Sequence, residues 1–119
     1  MTARRELVFI YNAQSGAWSK LFDAAHKLVS PHTYPCSLCA LTYGAVSMRR
    51  EWARFVASLP DSVRFAYRDE MARECDVLPP LPALLERRGG AWITLLDDQQ
   101  IAACANLDDL IARVRAALA

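Results

Sequence analysis

The chain has 119 residues, 54% of them hydrophobic and 23% charged, which is enough apolar chain for one buried core and too little for two independent ones. Fourteen basic and thirteen acidic residues leave a formal net charge of +1, without the basic excess that phosphate-backbone binding requires, so no nucleic-acid partner is expected. Four glycines and six prolines argue against a disordered or collagen-like chain. With no apolar run of about eighteen residues and no convincing signal peptide, a single domain over residues 1–119, cytoplasmic and without a membrane partner, is expected.

The first element is Leu7-Val8-Phe9-Ile10-Tyr11, a continuous β-favouring apolar run that predicts a central strand covered on both faces. Asn12-Ala13-Gln14-Ser15-Gly16 breaks it, and Trp18, Leu21, Phe22, Ala25, Leu28 and Val29 then repeat at helical spacing until Ser30-Pro31. Residues 31–46 resist regular structure at Pro31 to Pro35, while Cys36 to Gly44 is compatible with a short helix ended by glycine. From Ser47 onward, Met48, Trp52, Phe55, Val56 and Leu59 mark the buried face of a further helix, with Arg49, Arg50 and Arg54 in solvent.

Val63, Phe65 and Tyr67 alternate with Arg64, Ala66 and Arg68, the period of a half-covered strand. Met71 to Leu78 is polar with room for a helical turn, and Pro79-Pro80-Leu81-Pro82 forces a loop. Ala83 to Glu86 and Trp92 to Leu96 read as a hairpin about Arg87-Arg88-Gly89-Gly90. Asp97-Asp98 reads as a solvated turn, and Arg49-Arg50 and Arg87-Arg88 as solvated surface. Asn106 caps a last helix whose stripe is Leu107, Leu110, Ile111, Val114 and Leu118; Asp108 and Asp109 in its first turn and Arg113 and Arg115 in its last turns suit the helix dipole.

This order predicts an α/β fold, a mixed four-stranded sheet flanked by helices, with a right-handed crossover between the first two strands. From Leu81-Pro82-Ala83-Leu84-Leu85 through Gly89-Gly90 and Trp92 to Leu96, the chain resembles the C-terminal half of the thioredoxin and glutaredoxin superfamily; the likeness covers residues 62–119. In that family a proline, usually cis, opens the third strand and a glycine turn leads to the fourth, so the resemblance implies a thioredoxin-like sheet in which Pro82 presents an extended substrate backbone. Ile101 to Leu110 is similar in layout to the glutaredoxin segment that opens the last helix with paired glycines and an Asp; alanines stand here for the glycines. The family places its Cys-x-x-Cys directly after the first strand, where this chain has Asn12-Ala13-Gln14-Ser15. The same turn, with Thr33-Tyr34-Pro35-Cys36-Ser37-Leu38-Cys39-Ala40-Leu41-Thr42-Tyr43-Gly44, also resembles a group of small uncharacterised bacterial proteins, a likeness that supplies no function.

The chain's own Cys-x-x-Cys, Cys36 and Cys39, lies beyond the first helix. If both helices between the parallel strands descend, residues 31–46 climb between them, and that length spans about 20 Å, enough to bring Cys36 or Cys39 to the sheet edge near Pro82. Three chemistries are open to the pair. In the first, Cys36 at a helix N-terminus is a thiolate nucleophile and Cys39 resolves the mixed disulfide, with a protein or small disulfide as substrate and no cofactor. In the second, the cysteines are buried and structural. In the third, His26, His32, Cys36 and Cys39 supply two nitrogens and two sulfurs to a tetrahedral zinc, a spacing that matches no recognised finger.

Cys75, between Glu74 and Asp76, reads as structural, and so does Cys104 in its Ala-rich stretch, with a thiolate stabilised by the amide dipoles at the Asn106 cap as the alternative for Cys104; a disulfide between the two is opposed by a reducing compartment. Asn12, Gln14, Ser15 and Gly16 follow a central strand, where open α/β sheets bind ligands, so Asn12 and Ser15 are candidates for substrate contact, with a plain helix cap as the alternative.

Overall fold

The computed structural model describes residues 5–12, 37–42 and 48–119. The elements are β1 (Glu6–Tyr11), α1 (Ser37–Thr42), α2 (Arg50–Ser58), β2 (Ser62–Tyr67), α3 (Arg68–Met71), β3 (Ala83–Arg88), β4 (Ala91–Leu96), α4 (Asp98–Ala102) and α5 (Leu107–Leu118). The strands form one sheet in the order β2-β1-β3-β4. β1 runs parallel to β2 and antiparallel to β3, which pairs antiparallel with β4. The chain is therefore α/β with a mixed four-stranded sheet and flanking helices, as its periodicities predict.

Leu7 to Tyr11 are all buried, and the two sides of β1 feed separate clusters. Leu7, Phe9 and Tyr11 join Leu84 and Leu96 under Leu38 of α1, Trp52 and Phe55 of α2, Ile101 of α4 and Leu107, Leu110 and Val114 of α5. Phe9 meets Trp52 edge-on at 5.2 Å and stacks on Phe65 at 5.4 Å, geometries that add to simple area burial. On the other side Val8, Ile10, Ala66, Ala83 and Leu85 are closed by Met71, with Cys75, Leu78, Leu81 and Trp92 partly buried against them. β2 divides accordingly: Val63, Phe65 and Tyr67 face the helical side and Ala66 the other. No described helix is long and apolar enough to cross a membrane.

Several boundaries differ from the sequence expectation. Met48 sits in an isolated bridge and Arg49 is the extended N-cap of α2, so that helix starts at Arg50 rather than Ser47. The hairpin turn is Gly89-Gly90 alone, both at positive φ (54° and 84°). Arg87 and Arg88 are strand residues because glycine alone supplies those dihedrals without steric cost. Both arginines are exposed, as expected, and each also makes a contact: Arg87 lies 5.6 Å over the Trp92 ring and Arg88 pairs with Glu86. Asp97-Asp98 is no turn either, because the Asp97 side chain accepts from the Gln100 amide and Gln100 returns a bond to the Asp97 amide, a capping box that starts α4. In the polar stretch after β2, Met71 is fully buried.

Glu86 is a buried charged residue, and Arg88, two positions along the same strand face, donates Nε and Nη2 to its two oxygens at 3.0 Å each. That pairing holds the Glu86 carboxyl below its usual range, and the Arg64 guanidinium does the same for Glu74. A carboxylate whose folded pKa is depressed contributes stability above its unfolded pKa and loses it as the pH falls through the folded value. The urea midpoint is therefore expected to fall in acid, and Arg88→Ala to lower it at neutral pH while flattening that acid dependence. At the opposite end of the domain Asn106 Oδ1 accepts from the Asp109 amide. Asn106→Ala is expected to cost about 1 kcal/mol in urea denaturation.

Candidate functional site

The strand directions gather particular residues at one sheet edge. β1 and the parallel β2 end at Tyr11 and Tyr67, which are register partners. Ile10 pairs with Ala83 at the start of β3, and Leu84 with Leu96 at the end of β4. Asn12, Arg68, Pro82 and Asp97, each adjacent to one of these strand ends, therefore share an edge, the one at which open α/β sheets commonly bind ligands.

Two sequence-designated residues are found there. Asn12 accepts a hydrogen bond at Oδ1 from Arg68 Nη1 at 3.2 Å, so the amide that follows β1 is tied to the residue that follows β2. Pro82 is buried, and its bond to Leu81 is cis. Arg68 was invisible as a partner for Asn12 from sequence, because the two are joined only by the parallel register, 56 positions apart. Glu70, whose carboxylate accepts from the Tyr67 amide at 2.8 Å, fixes the turn into α3 that carries Arg68.

The helix expected between Cys36 and Gly44 forms as α1 over Ser37–Thr42 and carries Cys39 in its backbone. Leu38 and Thr42, four apart, are fully buried, and the Thr42 hydroxyl donates to the Leu38 carbonyl at 2.8 Å, so its polar atom is satisfied inside the helix. α1 packs against α4 and α5. Since α4 starts where β4 ends, this brings the second half of the Cys-x-x-Cys segment to the helical face of the sheet near the same edge. Cys36, Ser15, His26 and His32 lie outside the described residues. So does the predicted helix from Trp18 to Val29. Among the described residues no group of three His, Cys, Asp or Glu side chains is arranged to hold a metal.

The other two cysteines are free thiols, with no bond between them. Cys104, at the junction of α4 and α5, is 9% exposed and donates to the Gln100 carbonyl at 3.5 Å. Burial pushes its thiol up, reinforced by the Asp109 carboxylate and opposed by Arg113, so the amides ahead of α5 do not make it a thiolate. Cys75 is half-buried and donates to the Val77 carbonyl at 3.2 Å. A feature the sequence did not reveal lies at the other end of the strands, where Glu6, Ser62, Arg64, Glu74, Arg87 and Trp92 line a groove of 260 Å³. Its residues come from every strand and the turn after α3, and only the sheet register assembles them.

Leu38 anchors α1 to the core, so Leu38→Ala is expected to cost about 3 kcal/mol in equilibrium unfolding. In the native protein a thiol reagent is expected to modify Cys104 much more slowly than Cys75 and to equalise the two in denaturant; mass mapping of the labelled peptides measures this. Comparison with known proteins gives no match: no family model fits the chain, and no curated protein or solved structure is significantly similar to it.

Proposed function

We propose that the chain is a thioredoxin-like thiol–disulfide redox protein of the cytoplasm, with Cys36 as nucleophile and Cys39 as resolving thiol. The observation that carries this reading is the packing of α1 against α4 and α5, beside the edge where Asn12 and Pro82 lie. Residues 12–35 separate β1 from Cys36 in sequence, yet the packing of α1, which carries Cys39, supports a position near the region where a substrate disulfide would meet Pro82. The strand order, with one parallel pair and a Gly-Gly hairpin after Pro82, also suits the resemblance. Free Cys75 and Cys104 suit a reducing compartment.

The chemistry balances as a two-electron exchange. The Cys36 thiolate attacks one sulfur of a substrate disulfide, forming a mixed disulfide and expelling the other sulfur as a thiolate that takes a proton. Cys39 then attacks Cys36, closing the intramolecular disulfide and releasing the second substrate thiol. The protein ends oxidised by two electrons, the substrate reduced by two, and a dithiol reductant restores the starting state. Pro82 and Asn12, with Ser15 three positions on in the sequence, contact the extended substrate, a protein segment or a small disulfide.

A binding module without a redox cycle is the second reading, favoured by the Asn12–Arg68 contact, which gives the same edge a polar anchor that needs no thiol. Equilibration in glutathione redox buffers, read by mass after thiol alkylation, separates the two. The redox reading predicts a reversible two-electron couple that disappears in Cys36→Ser. Absence of a couple in the parent protein contradicts it, as does stoichiometric zinc in protein purified without chelator, since thiolates closed around a metal are withdrawn from exchange.

A further inference from the structure

We infer, resting on the reading of this sheet edge as the place of disulfide exchange, that Arg68 orients the Asn12 amide as a donor to main-chain carbonyls, so that the pair selects disulfides carried on extended polypeptide over small ones. The placement comes from the parallel register. Tyr11 and Tyr67 are partners, so the next residues, Asn12 and Arg68, leave their strands side by side. Glu70 accepts from the Tyr67 amide at 2.8 Å and so fixes the turn that carries Arg68.

A guanidinium has five N–H donors and no acceptor. The 3.2 Å contact from Arg68 Nη1 therefore determines which branch of the Asn12 amide faces it, namely Oδ1. The branch left over is Nδ2, with two N–H groups and no partner among the described residues. Arg68 enters no ion pair among the described residues, so its remaining N–H groups add to a face made of donors alone.

The entry to β3 has the opposite inventory. Ile10 pairs with Ala83, which sets Pro82 at the same edge as Asn12. Proline lacks an N–H, so Pro79-Pro80-Leu81-Pro82 offers four main-chain carbonyls and a single amide. An extended peptide carries donors and acceptors together. Here it meets carbonyls on the proline run and N–H groups on Asn12 and Arg68, whereas a small disulfide without amides uses neither.

Charge distinguishes a carbonyl from a carboxylate as the group received. Asp69 and Glu70 on α3, with Asp97 and Asp98 at the start of α4, outnumber Arg68 and Arg73, and Arg113 shares its groove with Asp109. An anionic ligand gains little from such surroundings. A neutral carbonyl needs only aligned donors.

Quenched-flow oxidation of the pre-reduced protein, read by mass after alkylation, tests this selection with two probes. One is a neutral, unstructured peptide closed by a disulfide; the other is bis(2-hydroxyethyl) disulfide, which has no amide. Asn12→Asp is the decisive variant, because its carboxylate still accepts from Arg68 but presents the peptide with an acceptor in place of a donor. The ratio of the peptide rate constant to that of the small disulfide is expected to fall about tenfold in Asn12→Asp and in Arg68→Ala. Arg68→Lys, whose ammonium also donates, should recover part of the loss. A parental ratio in Asn12→Asp overturns the selection and leaves disulfide exchange standing, since a purely structural role for Asn12 through Arg68 is kept by the aspartate. A parent protein inert toward both disulfides overturns the exchange reading and the selection with it.

Discussion

The double burial of β1 is the constraint on which the rest of the molecule depends. Five consecutive apolar side chains cannot all be hidden on one side of a strand, because successive residues point to opposite faces. The chain therefore has to supply cover twice. Among the described residues, helices α1, α2, α4 and α5 close over Leu7, Phe9 and Tyr11, while the short helix α3 and the proline-rich loop close over Val8 and Ile10. Phe9, set between Trp52 and Phe65, is where helix, central strand and edge strand meet.

That constraint also locates the candidate site. A parallel neighbour for β1 needs a long crossover, and in this chain the crossover contains the Cys-x-x-Cys segment. Covering Leu7, Phe9 and Tyr11 draws α1 onto the sheet through Leu38, and with it the backbone of Cys39. Cys104, in the same buried cluster, shows what that interior does to a thiol: desolvation favours the protonated form. A redox pair in this fold has to lie outside that cluster, where its thiolate remains hydrated or is stabilised by positive charge. The distinction between an inert and a reactive cysteine here is one of depth rather than of residue type.

Much of the scaffold was legible because local chemistry and global position agree. The apolar run of β1, the alternation of β2, the Gly89-Gly90 turn and the Asn106 cap each have a single physical solution that tertiary packing does not overrule. The misread places are those where charge disguised structure. Asp97 and Asp98 suggested solvent, yet Asp97 and Gln100 form a reciprocal cap that a spacing of three announces. Arg87 and Arg88 were grouped with the glycine turn, although they are exposed strand residues, one lying over Trp92 and the other pairing with buried Glu86. Of the candidate site, Asn12 and Pro82 could be set at one edge from strand order alone, whereas the Asn12–Arg68 bond needed the parallel register. Cys36 and Cys39 could be named from their spacing but not positioned, since the sequence of residues 31–46 offers no long periodicity to read.

The claim at the centre of this account is that Cys36 and Cys39 divide the labour of disulfide exchange at that edge. The most direct measurement is to mix Cys39→Ser with oxidised glutathione and map any adduct by mass spectrometry. With the resolving thiol gone, a glutathione mixed disulfide should accumulate on Cys36 and should not form on buried Cys104. Failure to trap any adduct on Cys36, or its appearance on Cys75 alone, would contradict the account.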